Sequence, residues 1–309
     1  MNLTIPPELQ PDLLQVEHLL RERMHARLGI ISLVDPHLIA DPSDRLRALI
    51  VLAIARLGSG VGEQVAHAAA AVELIEAATR AHDNLIDEHA RRVGRVANGA
   101  WDHGVALMVG DYLFALAAGE MARSPDPRII GLYSQAVMRI CEGQLTTVTS
   151  LTPREAALAA YWQRAEALAG ALLAAAAQAG VLCGGLAETL LEPAARFGMH
   201  LGLARQLAAE IRDLSSEGAM LQTGHVPLAL LLAAGEAPDP ALQAVLSLPT
   251  PATIAAALPL IRATGLPAAQ AALAEQQSAA QSALRLLPTG VTTPWLFELV
   301  RLPDMINPA

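Results

Sequence analysis

The chain has 309 residues, 53% hydrophobic and 17% charged, which is enough apolar mass for a large core. A formal net charge of −9 excludes a broad phosphate-backbone footprint for nucleic acid. All 21 basic residues are arginine, so Schiff-base, pyridoxal-lysine and P-loop-lysine chemistry are excluded, and any phosphate must be held by arginine, backbone N–H groups or metal ions.

Aromatics make up only 3% of the chain, and the apolar mass is Ala, Leu, Ile and Val, so few segments read as strands. The N-terminal MNLTIPPELQPDLLQ has no basic or apolar leader region, so no signal peptide and a cytoplasmic location are expected. Pro and Gly breaks then divide the chain into helices. They are predicted over 11–28, 45–57, 62–88, 101–121 and 128–147. Longer ones follow over 155–180 and 185–217. Short ones fill 227–236, 239–247, 251–264 and 266–286, and a last one covers 293–302. Thr152 stands where a helix cap belongs, with Pro153 behind it. The uncharged stretch 167–187 has the look of a membrane span, but its Gly and Gln content fits a buried bundle helix better. Its lack of charge also suggests a buried dimer face. Cys141 and Cys183 sit in apolar helical stretches and read as buried free thiols. The expected fold is all-α: one bundle of about a dozen helices spanning 1–309.

Two acidic rows carry the chemistry. Asp83 and Asp87 are i and i+4, so they share a helix face. Glu210, Asp213 and Glu217 are i, i+3 and i+7, again one face. That second row lies near a helix C-terminus, where the macrodipole disfavours anions unless a cation is bound. Either row alone reads as a solvated helix end. Together in one apolar bundle they predict a divalent-metal site, with both rows facing one central cavity.

The segment Glu73 to Glu88, with Arg91-Arg92-Val93-Gly94-Arg95 and Val109-Gly110-Asp111 after it, resembles the trans-polyprenyl diphosphate synthase family. Asp83 to Asp87 looks like that family's first aspartate-rich motif, with Asn84 in place of a carboxylate. Ser43 to Arg47 looks like its early basic element, Cys141 to Gln144 its E-G-Q segment, and Gly202 to Asp213 its second aspartate motif. The resemblance implies an all-α isoprenoid-synthase fold, Mg²⁺ as cofactor and an allylic prenyl diphosphate as substrate. It implies Asp83, Asp87 and Asp213 as catalytic carboxylates, with Glu210 and Glu217 joining them as metal ligands. Arg47, Arg91, Arg92 and Gln206 are implied for substrate, and Ala78 and Thr79 for the wall of an apolar tunnel. A homodimer is expected, or a heteromer with an active synthase.

The departures are specific. Asp44 and Glu76 stand where the family places a lysine and a histidine for the homoallylic diphosphate. A misplaced carboxylate there costs on the order of 1–4 kcal/mol, against about 8 kcal/mol for micromolar binding. Leu168-Ala169 replaces a lysine–threonine pair, Ala209 an aspartate and His225 a lysine. Three readings therefore stay open: chain-elongating prenyltransferase, class I terpene synthase ionising one allylic diphosphate, or non-catalytic partner subunit. Arg80 is expected to pair with Glu76 across one turn, and His82 to be a packed histidine.

Overall fold

The computed structural model describes residues 4–25, 45–58, 62–92 and 103–301, and within these the side chains of all but 24–25, 83–92, 103 and 105–106. The described residues form helices and their connections. In chain order these are α1 (Gln10–His25), α2 (Leu46–Ala55), α3 (Glu63–Arg92), α4 (His103–Met121) and α5 (Arg128–Leu145). Next come α6 (Arg154–Ala165), α7 (Ala171–Cys183), α8 (Leu191–Ser215), α9 (Ala219–Gln222) and α10 (Leu228–Ala234). The last are α11 (Pro240–Ser247), α12 (Pro251–Leu260), α13 (Leu266–Leu284) and α14 (Thr293–Arg301). Predicted boundaries fall within a few residues of these. The exceptions have local causes. A π-helical turn, Glu166–Gly170, joins α6 to α7, so the long helix has an inserted residue where continuous periodicity was expected. A second π-turn, Ile261–Gly265, joins α12 to α13. Thr152 does not cap α6, whose N-cap is Pro153 with no side-chain hydrogen bond.

Two apolar clusters make the core. The larger gathers α1–α5, α7, the first half of α8, the end of α13 and α14, around Tyr133, Phe197, Ile50, Leu74 and Leu201. The smaller gathers α6, the second half of α8 and α10–α13, around Leu207, Leu230 and Ile261. The helix α8 runs through both. Almost every side chain of α7 is buried within this chain. The stretch expected as a dimer face is therefore core: its missing charges reflect burial against α2, α5 and α8. Residues Arg154–Cys183 have the length and hydropathy of a span, and 72% of the most apolar window is buried inside the protein. Pro251–Leu284 also has that length and hydropathy, but carries Arg262, Glu275, Gln276 and Gln277. Cys183 is buried, and burial pushes its thiol up to about 12, which leaves it inert. Cys141 is exposed, contrary to the expectation: it lies on the outer face of α5.

Buried ion pairs fix the helices that matter for the site. Arg45, at the start of α2, binds Glu17 of α1 at 2.7 Å. Glu120 of α4 takes Arg23 at 2.6 Å and His67 at 2.5 Å. Glu73 of α3 accepts the backbone N–H of Ala48 at 2.7 Å, satisfying one orphan donor at the N-terminus of α2. That last contact sets the first turn of α2, and with it Arg47, against α3.

Candidate active site

Close helix approach builds the site floor. A Cβ placed on Gly202 would lie 2.1 Å from the carbonyl oxygen of Ala169, and one on Gly198 2.3 Å from that of Leu173. The missing side chains let α8 lie directly on the π-turn and α7. Leu168 and Ala169 thereby meet Gln206, and these three residues line two neighbouring cavities.

The first cavity holds about 270 Å³. Its charged lining is Arg47 from α2, Glu76 and Arg80 from α3, and Arg205 from α8. Glu76 bridges two of the arginines, to Arg47 Nη2 at 2.9 Å and to Arg80 Nε at 3.0 Å. The expected Glu76–Arg80 pair is present, and Arg47 completes a triad. Glu76 is thus held between two guanidinium groups, one more than the sequence predicted. The second cavity holds about 400 Å³ and takes in Gln144, Tyr161, Arg164 and His225. Arg164 donates to the carbonyls of Gly143 and Thr146 at 2.7 and 3.0 Å, closing the C-terminal end of α5.

Glu210 occupies a different setting from the metal-ligand role expected of it. It is 2% exposed and enclosed by donors. Its Oε1 accepts from Gln206 Nε2 at 2.8 Å and faces His225 Nε2 at 2.9 Å. Its Oε2 accepts from Tyr161 at 3.0 Å and from the Leu228 N–H at 2.9 Å. Both oxygens are spent, because the helix turns residue 210 towards α6 and α10 while 202, 205, 206 and 209 face the cavity. Burial, then the neighbouring Glu210, raises the Tyr161 hydroxyl well above its usual value, so it stays a donor. Asp213 continues the cavity row of 202, 206 and 209. Its Oδ2 accepts the Met220 N–H at 3.1 Å, and among the described residues Oδ1 takes no hydrogen bond. Glu217 is exposed. The side chains of Asp83, Asp87, Arg91 and Arg92 lie outside the described residues, as do Asp44 and Arg95. The backbone of α3 continues unbroken through position 92, and by register 83 and 87 extend the row of 76 and 80. No group of three metal-binding side chains gathers among the described residues.

Ala78 does not share the cavity face. Five residues turn a helix through about 500°, which leaves position 78 roughly 140° away from 83. Accordingly Ala78 is fully buried in the larger core cluster. Thr79 is half-buried and donates to Ile75 of its own helix at 3.0 Å. The charged pair Glu76–Arg80 takes the cavity face instead. His82 is packed, its ring 5.6 Å from that of Phe114. Three participants were not singled out from the sequence: Arg205, Tyr161 as a partner of Glu210, and Glu73. The 202–205–206–209 spacing on α8 carried a signal for Arg205. Tyr161 had none, since its partner is 49 residues away.

A helical bundle with an arginine-lined cavity between two acid-bearing helices defines the prenyl diphosphate synthase class. The sequence matches the polyprenyl synthetase family over residues 31–224, and the chain belongs to that family. It is 30% identical to heptaprenyl diphosphate synthase component 2 of Geobacillus stearothermophilus, over 73% of each chain. It is also 30% identical to nonaprenyl diphosphate synthase of Mycobacterium tuberculosis, over 89% of this chain and 86% of that one. A polyprenyl synthase from Caulobacter crescentus, solved with calcium and isoprenyl diphosphate, superposes with a TM-score of 0.85 at 29% identity. That match covers 96% of this chain and 95% of the other.

Proposed function

We propose that this chain elongates an allylic prenyl diphosphate by one or more isoprene units. The observation that carries the reading is the pair of cavities sharing Leu168, Ala169 and Gln206, one of them lined, among the described residues, by three arginines and one glutamate. In the reaction the allylic C–O bond breaks and the diphosphate departs with the bonding pair. The double bond of a second prenyl diphosphate attacks the allylic carbon, and loss of a proton restores an alkene. Arg47 and Gln206 orient the substrates, with Arg91 and Arg92 proposed beside them. Half-buried Leu168 and buried Leu173 help exclude water from the developing cation.

Asp83, Asp87 and Asp213 are the proposed holders of Mg²⁺. The donor set fits a hard cation through oxygen ligands, and among the described residues Asp213 retains an uncommitted oxygen. Bound Mg²⁺ supplies charge neutralisation and Lewis acidity for the leaving diphosphate. Glu210 serves the site by fixing Gln206 and His225 rather than by binding metal, and exposed Glu217 is at most a peripheral ligand.

The test is incubation with Mg²⁺ and geranyl or farnesyl diphosphate, with and without isopentenyl diphosphate. Longer prenyl chains are expected, and Asp213→Asn should lower turnover on the order of 100-fold. Hydrocarbons or alcohols formed without isopentenyl diphosphate would favour the terpene-synthase reading. No turnover by the pure chain, restored by a second protein, would favour a subunit role, the arrangement that the name "component 2" gives to one relative.

A further inference from the structure

A third cavity shares no lining residue with the two described above. It holds about 380 Å³ between α5, α7 and the first half of α8. Its α5 wall carries Gln135 and Arg139. These positions are turned roughly 140–180° around the helix from Gln144, which lines the cavity of about 400 Å³. The cleft therefore opens on the far side of α5 from the prenyl cavities.

The charges on its walls are unspent. Among the described residues neither Arg139 of α5 nor Arg196 of α8 makes an ion pair or a side-chain hydrogen bond. Glu192 lies one helical turn before Arg196, the spacing at which such a pair ordinarily closes, yet it has no partner there either. Two guanidinium groups against one carboxylate give the cleft a charge of +1 by simple count. The floor is made of alanine side chains from all three helices, and Gln178 stands among them. It is the one amide or charged side chain of α7, a helix otherwise buried in the core. Gln178 is half-buried, and among the described residues no hydrogen bond reaches its amide, so its partner comes from what fills the cleft. On the α8 wall His200 is already fixed, its Nδ1 2.8 Å from Gln276 Oε1.

We propose that this cleft is a second ligand site, for a small organic phosphate monoester. Guanidinium groups from two different helices suit a tetrahedral phosphate, whose oxygens point towards both walls. A planar carboxylate is satisfied by one arginine in its own plane. The alanine floor takes a compact body, and Gln178 and Glu192 read hydroxyl or amino groups on it. The site is additional to prenyl transfer and does not rest on it. One helix serves both places: positions 192–200 of α8 face the cleft and 202–209 face the prenyl cavities. An occupied cleft therefore ties α5 to the helix that bears Gln206.

The experiment is calorimetric titration of the whole chain with glycerol 3-phosphate, adenosine 5′-monophosphate and inorganic phosphate. At least one of the two esters should bind, and more tightly than inorganic phosphate. Arg139→Met and Arg196→Met should each weaken that ester about tenfold or more, the loss of one charge-assisted interaction. Gln178→Leu should weaken the ester and leave inorganic phosphate unchanged, because it meets only the body. Arg47→Met, in the separate cavity, should leave the ester's affinity as it is. Circular dichroism and thermal melts verify that the variants fold. No heat from either ester at millimolar concentration, or wild-type affinity in both methionine variants of the cleft, overturns the proposal. So does a loss that appears only in Arg47→Met, which would place the ester in the prenyl cavity, or binding of inorganic phosphate alone.

Discussion

Glu73 shows how one buried carboxyl can tie stability to pH. Burial is the largest influence on it and raises its pKa from 4.5 to about 7, against the opposing pull of Arg47, the Ala48 N–H and Arg45. Because the folded state holds this proton more tightly than the unfolded chain, the associated stability is complete below about pH 4.5. It falls as pH rises and is lost above about pH 7. Glu73→Gln keeps an oxygen for Ala48 and removes the titration. Chemical denaturation should find it more stable than wild type at pH 8, by about 1–3 kcal/mol, with the gap closing near pH 5. A gap that does not change with pH would show that Glu73 does not titrate in this window. Glu210 responds differently, since four donors or hydrogen-bonding nitrogens already close on it. Glu210→Gln turns one acceptor into a donor beside them and should cost about 1–3 kcal/mol in urea unfolding. An unchanged midpoint would mean that this shell is looser than its distances indicate. The sequence marks both residues as acids on apolar helices. It does not show that Glu210 is closed inside a donor shell, because besides Gln206 of its own helix the shell comes from Tyr161 of α6, His225 of the loop before α10 and the Leu228 N–H of α10.

At the level of the helix, boundaries were largely readable because apolar periodicity and Pro/Gly punctuation are local properties. What periodicity could not supply was phase across a distance. Asp83 and Ala78 lie on one helix, but the turn between them places alanine in the core and the Glu76–Arg80 pair at the cavity. Ala78→Phe should therefore act as an overpacked core residue, lowering stability by about 1–3 kcal/mol, instead of shortening a prenyl product. A thermal melt and a product-length assay on the same variant separate the two effects. The π-turn at Glu166–Gly170 was equally invisible, since an inserted residue leaves composition unchanged. Its position depends on Gly202, where a Cβ would meet the Ala169 carbonyl at 2.1 Å. Gly202→Ala must push α8 away from the turn that carries Leu168 and Ala169. Loss of about 2–4 kcal/mol is expected, along with weaker substrate binding because the turn lines both cavities. Wild-type melting would show that α8 can shift without strain.

For the whole molecule, the outer surface raises the question of assembly. Expectation placed a dimer face on the uncharged helix at 167–187, but the structure uses that helix as core, and charge alone could not tell burial within one chain from burial between two. Large apolar side chains left in solvent concentrate elsewhere. Leu107, Met108, Ile130, Met138 and Leu145 all lie on α4 and α5, with Met108 73% exposed and Leu145 85% exposed. Along α5, positions 134, 138, 141 and 145 follow i, i+4, i+7 and i+11 spacing, and all four are exposed, so Met138 and Leu145 share a stripe with Cys141. An apolar stripe of this kind left in solvent marks an interface. The homodimer expected from the sequence would set this stripe against its counterpart in a second copy, since a two-fold contact needs one patch only. Sedimentation should then give a species of twice the 32.4 kDa chain mass. Met138→Glu with Leu145→Glu, which places like charges face to face across the two-fold axis, should yield the single-chain mass with helicity intact. A wild-type protein that sediments at 32.4 kDa when alone, and gains mass only with another protein, would transfer the stripe to a different subunit and end the homodimer expectation.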